Sequence, residues 1–138
     1  MSKGFTLIEL LLVVVIIGIV AALVLPKFAD VKDRAYQAAM QNDLRNLAVA
    51  QEIHFEKHGQ YSGPNPAAAF SAAELETSGI EGFSTSNNVT IAVSQQSAQG
   101  YRAVATHGQI SGGTECWLDI GLARNNRVEC GAAPPAWE

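Results

Sequence analysis

From Phe5 to Leu25 the chain reads FTLIELLLVVVIIGIVAALVL, 21 residues in which Glu9 is the single ionisable side chain. A helix of about 20 apolar residues spans the roughly 30 Å hydrocarbon core of a bilayer. No later segment approaches that length. Beyond Pro26 the pattern becomes one-sided. Tyr36, Met40, Leu44, Leu47, Gln51 and Phe55 recur at helical spacing, with Ala35, Ala39, Ala48 and Ala50 beside them. Asp30, Lys32, Asp33, Arg45, Glu52 and Glu56 fall on the other face. The spacing predicts one helix, apolar all round over 5–25 and amphipathic over 26–58. A stretch apolar all round must lie in lipid or among other helices. The 53 residues from Phe5 to Lys57 would reach roughly 80 Å as a helix. That is too long for a compact fold of this size, so part of the helix is expected to project.

Gly59 and the run Ser62-Gly63-Pro64-Asn65-Pro66 end the helix. Residues 59–87 read as a connecting loop, with a short helix around Ser71 to Glu76. Strand patterns follow. Val89, Ile91 and Val93 alternate with polar residues, Tyr101–Thr106 is β-prone, and Cys116–Ile120 and Arg127–Cys130 are shorter. Gly100, Gly108, Gly112-Gly113, Gly121 and Asn125-Asn126 supply turns. The predicted class is α+β: a four-stranded antiparallel sheet over 88–130, packed on the amphipathic half of the helix. Residues 131–138, with Pro134, Pro135 and Trp137, form a short tail. A head spanning 59–138 has a small core and gains most from a covalent staple.

Cys116 and Cys130 are the two cysteines. A membrane-inserted N-terminus implies an exported C-terminal part, hence an oxidising compartment and a disulfide. It would close a loop of about 15 residues, worth about 3 kcal/mol in the chain-entropy picture. Two buried free thiols are the alternative. The formal net charge is −4, from 9 basic and 13 acidic side chains. Lys and Arg are scattered without a basic patch, so no nucleic-acid partner is predicted.

The apolar run is too long for an ordinary secretory signal, and Ala21, Ala22 and Ala29 make a poor cleavage site. A plain membrane anchor does not explain Glu9, because a carboxylate near hydrocarbon is costly and is normally functional. Gly4 marks the boundary between a polar leader and the apolar run. Pro26 removes a helix hydrogen bond to the Ala22 carbonyl, and Gly18 weakens the helix upstream.

These residues carry a resemblance. Met1-Ser2-Lys3-Gly4 followed by Phe5-Thr6-Leu7-Ile8-Glu9-Leu10 is similar to the leader and mature start of type IV pilins. The likeness continues through Gly18, Pro26, Arg34-Ala35-Tyr36 and Asp43-Leu44-Arg45-Asn46-Leu47 and covers roughly the first 60 residues; beyond Tyr61 only the pattern matches. It implies the type IV pilin fold and a structural subunit of a homo-oligomeric helical filament. It further implies a leader, residues 1–4, removed between Gly4 and Phe5 by a membrane aspartyl peptidase, and N-methylation of Phe5. Glu9 would pair with the Phe5 amine of a neighbouring subunit as the assembly machinery adds it to the pilus. The precursor would lie in the inner membrane and the assembled subunit outside the cell.

Physical reasoning supports the pairing independently. Cleavage creates an α-amine with a pKa of about 7.7–8.0, a cation absent from the precursor. A buried unpaired carboxylate seeks such a partner. The competing reading is that Glu9 only complements the positive helix N-terminus.

Catalytic patterns are weak. His54 and His58 stand at i and i+4, but Phe55 occupies the position where a metallohydrolase carries Glu, so no metal is expected. His107 has no evident partner. No G-x-S-x-G elbow or phosphate loop occurs, and neither an enzymatic activity nor a cofactor is predicted. Asn88-Val89-Thr90 matches the glycosylation pattern only weakly. The nearest rival is a pseudopilin of a type II secretion system, built on the same helix. A third reading is a single-span anchored enzyme or binding module that keeps its leader.

Overall fold

The computed structural model describes residues 4–62, 68–70, 80, 82–97, 100–121 and 126–135. The chain forms two compact units, Met1–Arg34 and Ala35–Glu138. Helix α1 runs from Leu7 to His58 and includes both Gly18 and Pro26 within its helical span. It ends where the sequence predicts. Gly59 adopts φ +72°, and its N–H donates to the Phe55 carbonyl at 2.8 Å. This is the left-handed cap for which glycine carries no side-chain penalty.

In the first unit every large apolar side chain from Phe5 to Val24 is exposed, as are Phe28 and Val31. This part of α1 is long and apolar enough to cross a membrane.

The second unit contains the sheet. Its strands are β1 (Ala68–Phe70), β2 (Val89–Ser97), β3 (Gly100–His107), β4 (Glu115–Ile120) and β5 (Val128–Gly131). They lie in sequence order, and every neighbouring pair is antiparallel. The four expected strands are β2–β5. The three-residue β1 is additional: it falls inside the expected connecting loop and pairs with Ile91–Val93. The short helix expected around Ser71 to Glu76 lies outside the described residues. The β2–β3 hairpin closes at the Ser97–Gly100 pair. Glycine is favoured at position 100, because a Cβ would stand 3.0 Å from the Ile120 carbonyl oxygen on β4, and the backbone there would have to give way.

Alternation decides which residues enter the core. Ile91 and Val93 on β2, Tyr101, Ala103 and Ala105 on β3, and Cys116 and Leu118 on β4 are buried with Met40, Leu44 and Leu47 of α1. Each large aliphatic side chain so buried contributes about 1.5–3 kcal/mol. Gln51, at the next step of the same helical stripe, is also fully buried. Arg102 alternates with these core residues and lies on the opposite sheet face, directly across from Asp119.

Candidate functional site

Gly4, Phe5 and Thr6 precede the helix and are exposed. The Thr6 carbonyl accepts the N–H groups of Glu9 at 3.1 Å and Leu10 at 3.3 Å. The Thr6 hydroxyl oxygen also accepts the Glu9 N–H, at 3.3 Å. Thr6 is therefore the N-cap, and it satisfies a backbone donor that the helix cannot. Thr6 and Glu9 have the spacing of a capping box, a pattern that is present in the sequence but is masked by the apolar run around it. Glu9 lies in the first turn, where the helix dipole favours a carboxylate. This placement fits the dipole reading within one chain. It does not exhaust the carboxylate, which offers about four acceptor positions. Gly18, farther along, has open space where a Cβ would be.

In the second unit, buried polar groups tie α1 to the segments around it. Asp43 is buried and accepts from the Ser86 backbone N–H at 2.7 Å and the Ser86 hydroxyl at 2.9 Å. Gln51 bonds the backbone of Ser62 through both ends of its amide. The Tyr61 hydroxyl donates to Glu52 at 2.9 Å. Burial, followed by the hydrogen bond to Glu52 and its negative charge, pushes the Tyr61 phenol from 10 up to about 12. Tyr61 meets Phe55 with ring centroids 4.7 Å apart, and Tyr101 edge-on at 4.9 Å. Burial raises the Tyr101 phenol well above its ordinary value. Its hydroxyl has no hydrogen-bond partner among the described residues.

The cysteines are joined. Cys116 and Cys130 face each other across β4 and β5, with S–S 2.01 Å and Cα atoms 4.0 Å apart. Gln41 on α1 donates through Nε2 to Cys130 Sγ at 3.3 Å. On the far sheet face the Arg102 guanidinium holds Asp119 bidentately, with Nη2–Oδ2 at 2.8 Å. Both residues are buried, 4% and 3% exposed. The remaining fork of Arg102 donates through Nη1 to the Pro135 carbonyl at 2.8 Å, which ties the tail to β3 at Pro135.

The histidines have structural partners. His58 Nδ1 donates to the His54 carbonyl at 3.0 Å, and the two rings stack at 4.1 Å. His107, for which the sequence offered no partner, stacks on Tyr36 at 4.1 Å. Its Nδ1 accepts the Gln109 N–H at 3.2 Å, while the Tyr36 hydroxyl donates to the Gln109 side chain at 3.3 Å. Gln109 is a local neighbour, but Tyr36 sits 71 positions away in the sequence, a juxtaposition that only the fold creates.

Comparison with known proteins places these features in context. The family description "Prokaryotic N-terminal methylation motif" matches residues 1–25. The type IV wide pilus major component PilA4 of Thermus thermophilus is 34% identical over 137 residues, 96% of this chain and 95% of that protein. The type IV major pilin protein PilA of Myxococcus xanthus is 43% identical over 61 residues, 44% of this chain but only 28% of that protein. The type II secretion system core protein G of Pseudomonas aeruginosa is 43% identical over 53 residues, 38% of this chain and 37% of that protein.

Proposed function

As this chain belongs to the type IV pilins, we propose that it is a structural subunit of a type IV pilus, stored in a membrane and polymerised through its N-terminal helix. The observation that carries this reading is the apolar first unit, whose large side chains from Phe5 to Val24 are all exposed. Such a surface requires lipid before assembly and other helices afterwards. The amphipathic part of α1 extends the argument. Val49 and Ile53, one turn apart, are 63% and 50% exposed, which leaves apolar surface for contact with neighbouring subunits.

Assembly follows from charge. A prepilin peptidase hydrolyses the Gly4–Phe5 amide: the water oxygen goes to the Gly4 carboxylate, and Phe5 leaves as an amine that is then N-methylated. That amine is protonated near neutral pH. Glu9 supplies its counter-charge from an adjacent subunit, so only processed chains bring both signs into the apolar bundle. Gly18 and Pro26 weaken the stretch of α1 between them, which unwinds locally as helices crowd together. The precursor resides in the inner membrane and the assembled subunit in the extracellular fibre.

Likeness to the secretion pseudopilin covers 53 residues, whereas likeness to the Thermus pilin covers 137. The pilin reading is therefore preferred. Mass spectrometry of the mature chain, combined with electron microscopy of sheared surface fibres, tests it. A chain beginning at methylated Phe5 and recovered in fibres supports the proposal; an intact Met1 rejects it. Glu9→Ala should insert in the membrane normally while fibres fail. Wild-type fibre yield from that variant would rule out the pairing.

A further inference from the structure

We propose that Thr6 is a positioning residue for leader removal, acting by holding the Gly4–Phe5 bond outside the helix. The inference rests on the processing step described above. It adds a residue to which neither the apolar pattern nor the cleavage position assigns a role.

A peptide bond inside an α-helix is a poor substrate for hydrolysis, because its carbonyl is tied to an N–H four residues on and its backbone is curled away from an attacking water. In this chain helix α1 begins at Leu7. The Thr6 carbonyl accepts from Glu9 and Leu10, and the Thr6 hydroxyl accepts from Glu9. An N-cap residue takes a non-helical backbone conformation while it satisfies the first turn, so it both starts the helix and halts its growth toward the N-terminus. The helix boundary therefore falls two residues past the scissile bond.

Gly4 reinforces this boundary. Glycine in a helix costs about as much as one cap contributes. Gly4 is exposed, and even a methyl group added there would meet nothing within 4 Å. The bond is thus open on its surroundings and lies outside the helix. Without the Thr6 hydroxyl, the favoured N-cap residues upstream are Gly4 and Ser2, and a helix capped at either ties the Gly4 carbonyl into its first turn. A helix starting after Ser2 would enclose the Gly4–Phe5 bond in its first turn. The same hydroxyl thus separates the part of the chain that is cut from the part that remains helical in the membrane.

The test uses the full-length precursor in detergent micelles with purified prepilin peptidase, and product masses give the rate of cleavage at Phe5. Thr6→Ala should slow cleavage by up to about fivefold, the change in the helix–coil equilibrium equivalent to one lost cap. Thr6→Ser, which retains the hydroxyl, should restore the rate. Carbon chemical shifts of Gly4 and Phe5 in the same micelles should move toward helical values in Thr6→Ala relative to the wild type and Thr6→Ser. Cleavage of Thr6→Ala at the wild-type rate overturns the proposal, as does a Thr6→Ser variant that is as slow as Thr6→Ala. A wild-type precursor that the peptidase leaves intact refutes the processing reading itself, whatever the variants do.

Discussion

Gln51 and Ser62 are locked as a reciprocal pair: the Gln51 amide nitrogen donates to the Ser62 carbonyl, and its oxygen accepts the Ser62 N–H at 2.9 Å. The side chain thereby does for the chain reversal after α1 what a strand partner does in a sheet. Gln51 is fully buried and Ser62 nearly so. Gln51→Ala should remove both hydrogen bonds to the Ser62 backbone, at about 0.5–1.5 kcal/mol each. Gln51→Glu keeps the acceptor but turns a carboxylate oxygen toward the Ser62 carbonyl. Its stability should be lowest at neutral pH and recover in acid, where the protonated carboxyl can donate. Denaturant midpoints at two pH values check both variants.

The Tyr61 phenol predicts an alkaline limit to stability. Its folded pKa, near 12, stands above the unfolded value of 10. Its contribution is therefore complete below pH 10 and disappears as pH rises through about 12. Tyr101, also shifted upward by burial, acts with the same sign. Tyr61→Phe should reduce the steepness of alkaline unfolding without abolishing it. Phenolate absorbance followed alongside circular dichroism gives the measurement.

The disulfide joins β5, a four-residue edge strand, to β4. Replacing Cys116 and Cys130 together by Ser should destabilise the head by about 2–5 kcal/mol. Unfolding with and without reductant should show the same difference in the wild type. A smaller effect would mean that the core alone holds the edge strand.

Arg102 and Asp119 make a double-mutant test. Arg102→Met leaves a buried carboxylate and should cost about 3–5 kcal/mol, whereas Arg102→Met combined with Asp119→Leu should recover much of the loss. Failure of the pair to recover would mean that the hydrogen bond from Arg102 to the Pro135 carbonyl stabilises the head more than the ion pair does.

The elements that follow a long, clean period were legible from sequence. The helix was expected to about His58 and ends there, and β2–β5 fall within about two residues of the alternating runs, apart from the extension of β2 to Ser97. β1 was not legible, because Ala68-Ala69-Phe70 has no alternation and pairs with residues more than 20 positions on. The buried polar groups were hidden for a related reason. Asp43 and Arg102 look like surface residues until Ser86 and Asp119 are brought beside them. At the N-terminus, Gly4, Phe5 and Glu9 stood out because a polar leader and one acid interrupt a monotonous run. The Thr6 cap did not, since its meaning lies in a hydrogen bond rather than in hydropathy.

The bond between Cys116 and Cys130 has one more consequence. The 13 residues between them, 117–129, form a covalently closed ring with the bridge. A protease that nicks the chain anywhere in that ring produces two fragments that remain one molecule. A subunit nicked within that ring would therefore stay in one piece until a reductant reached it.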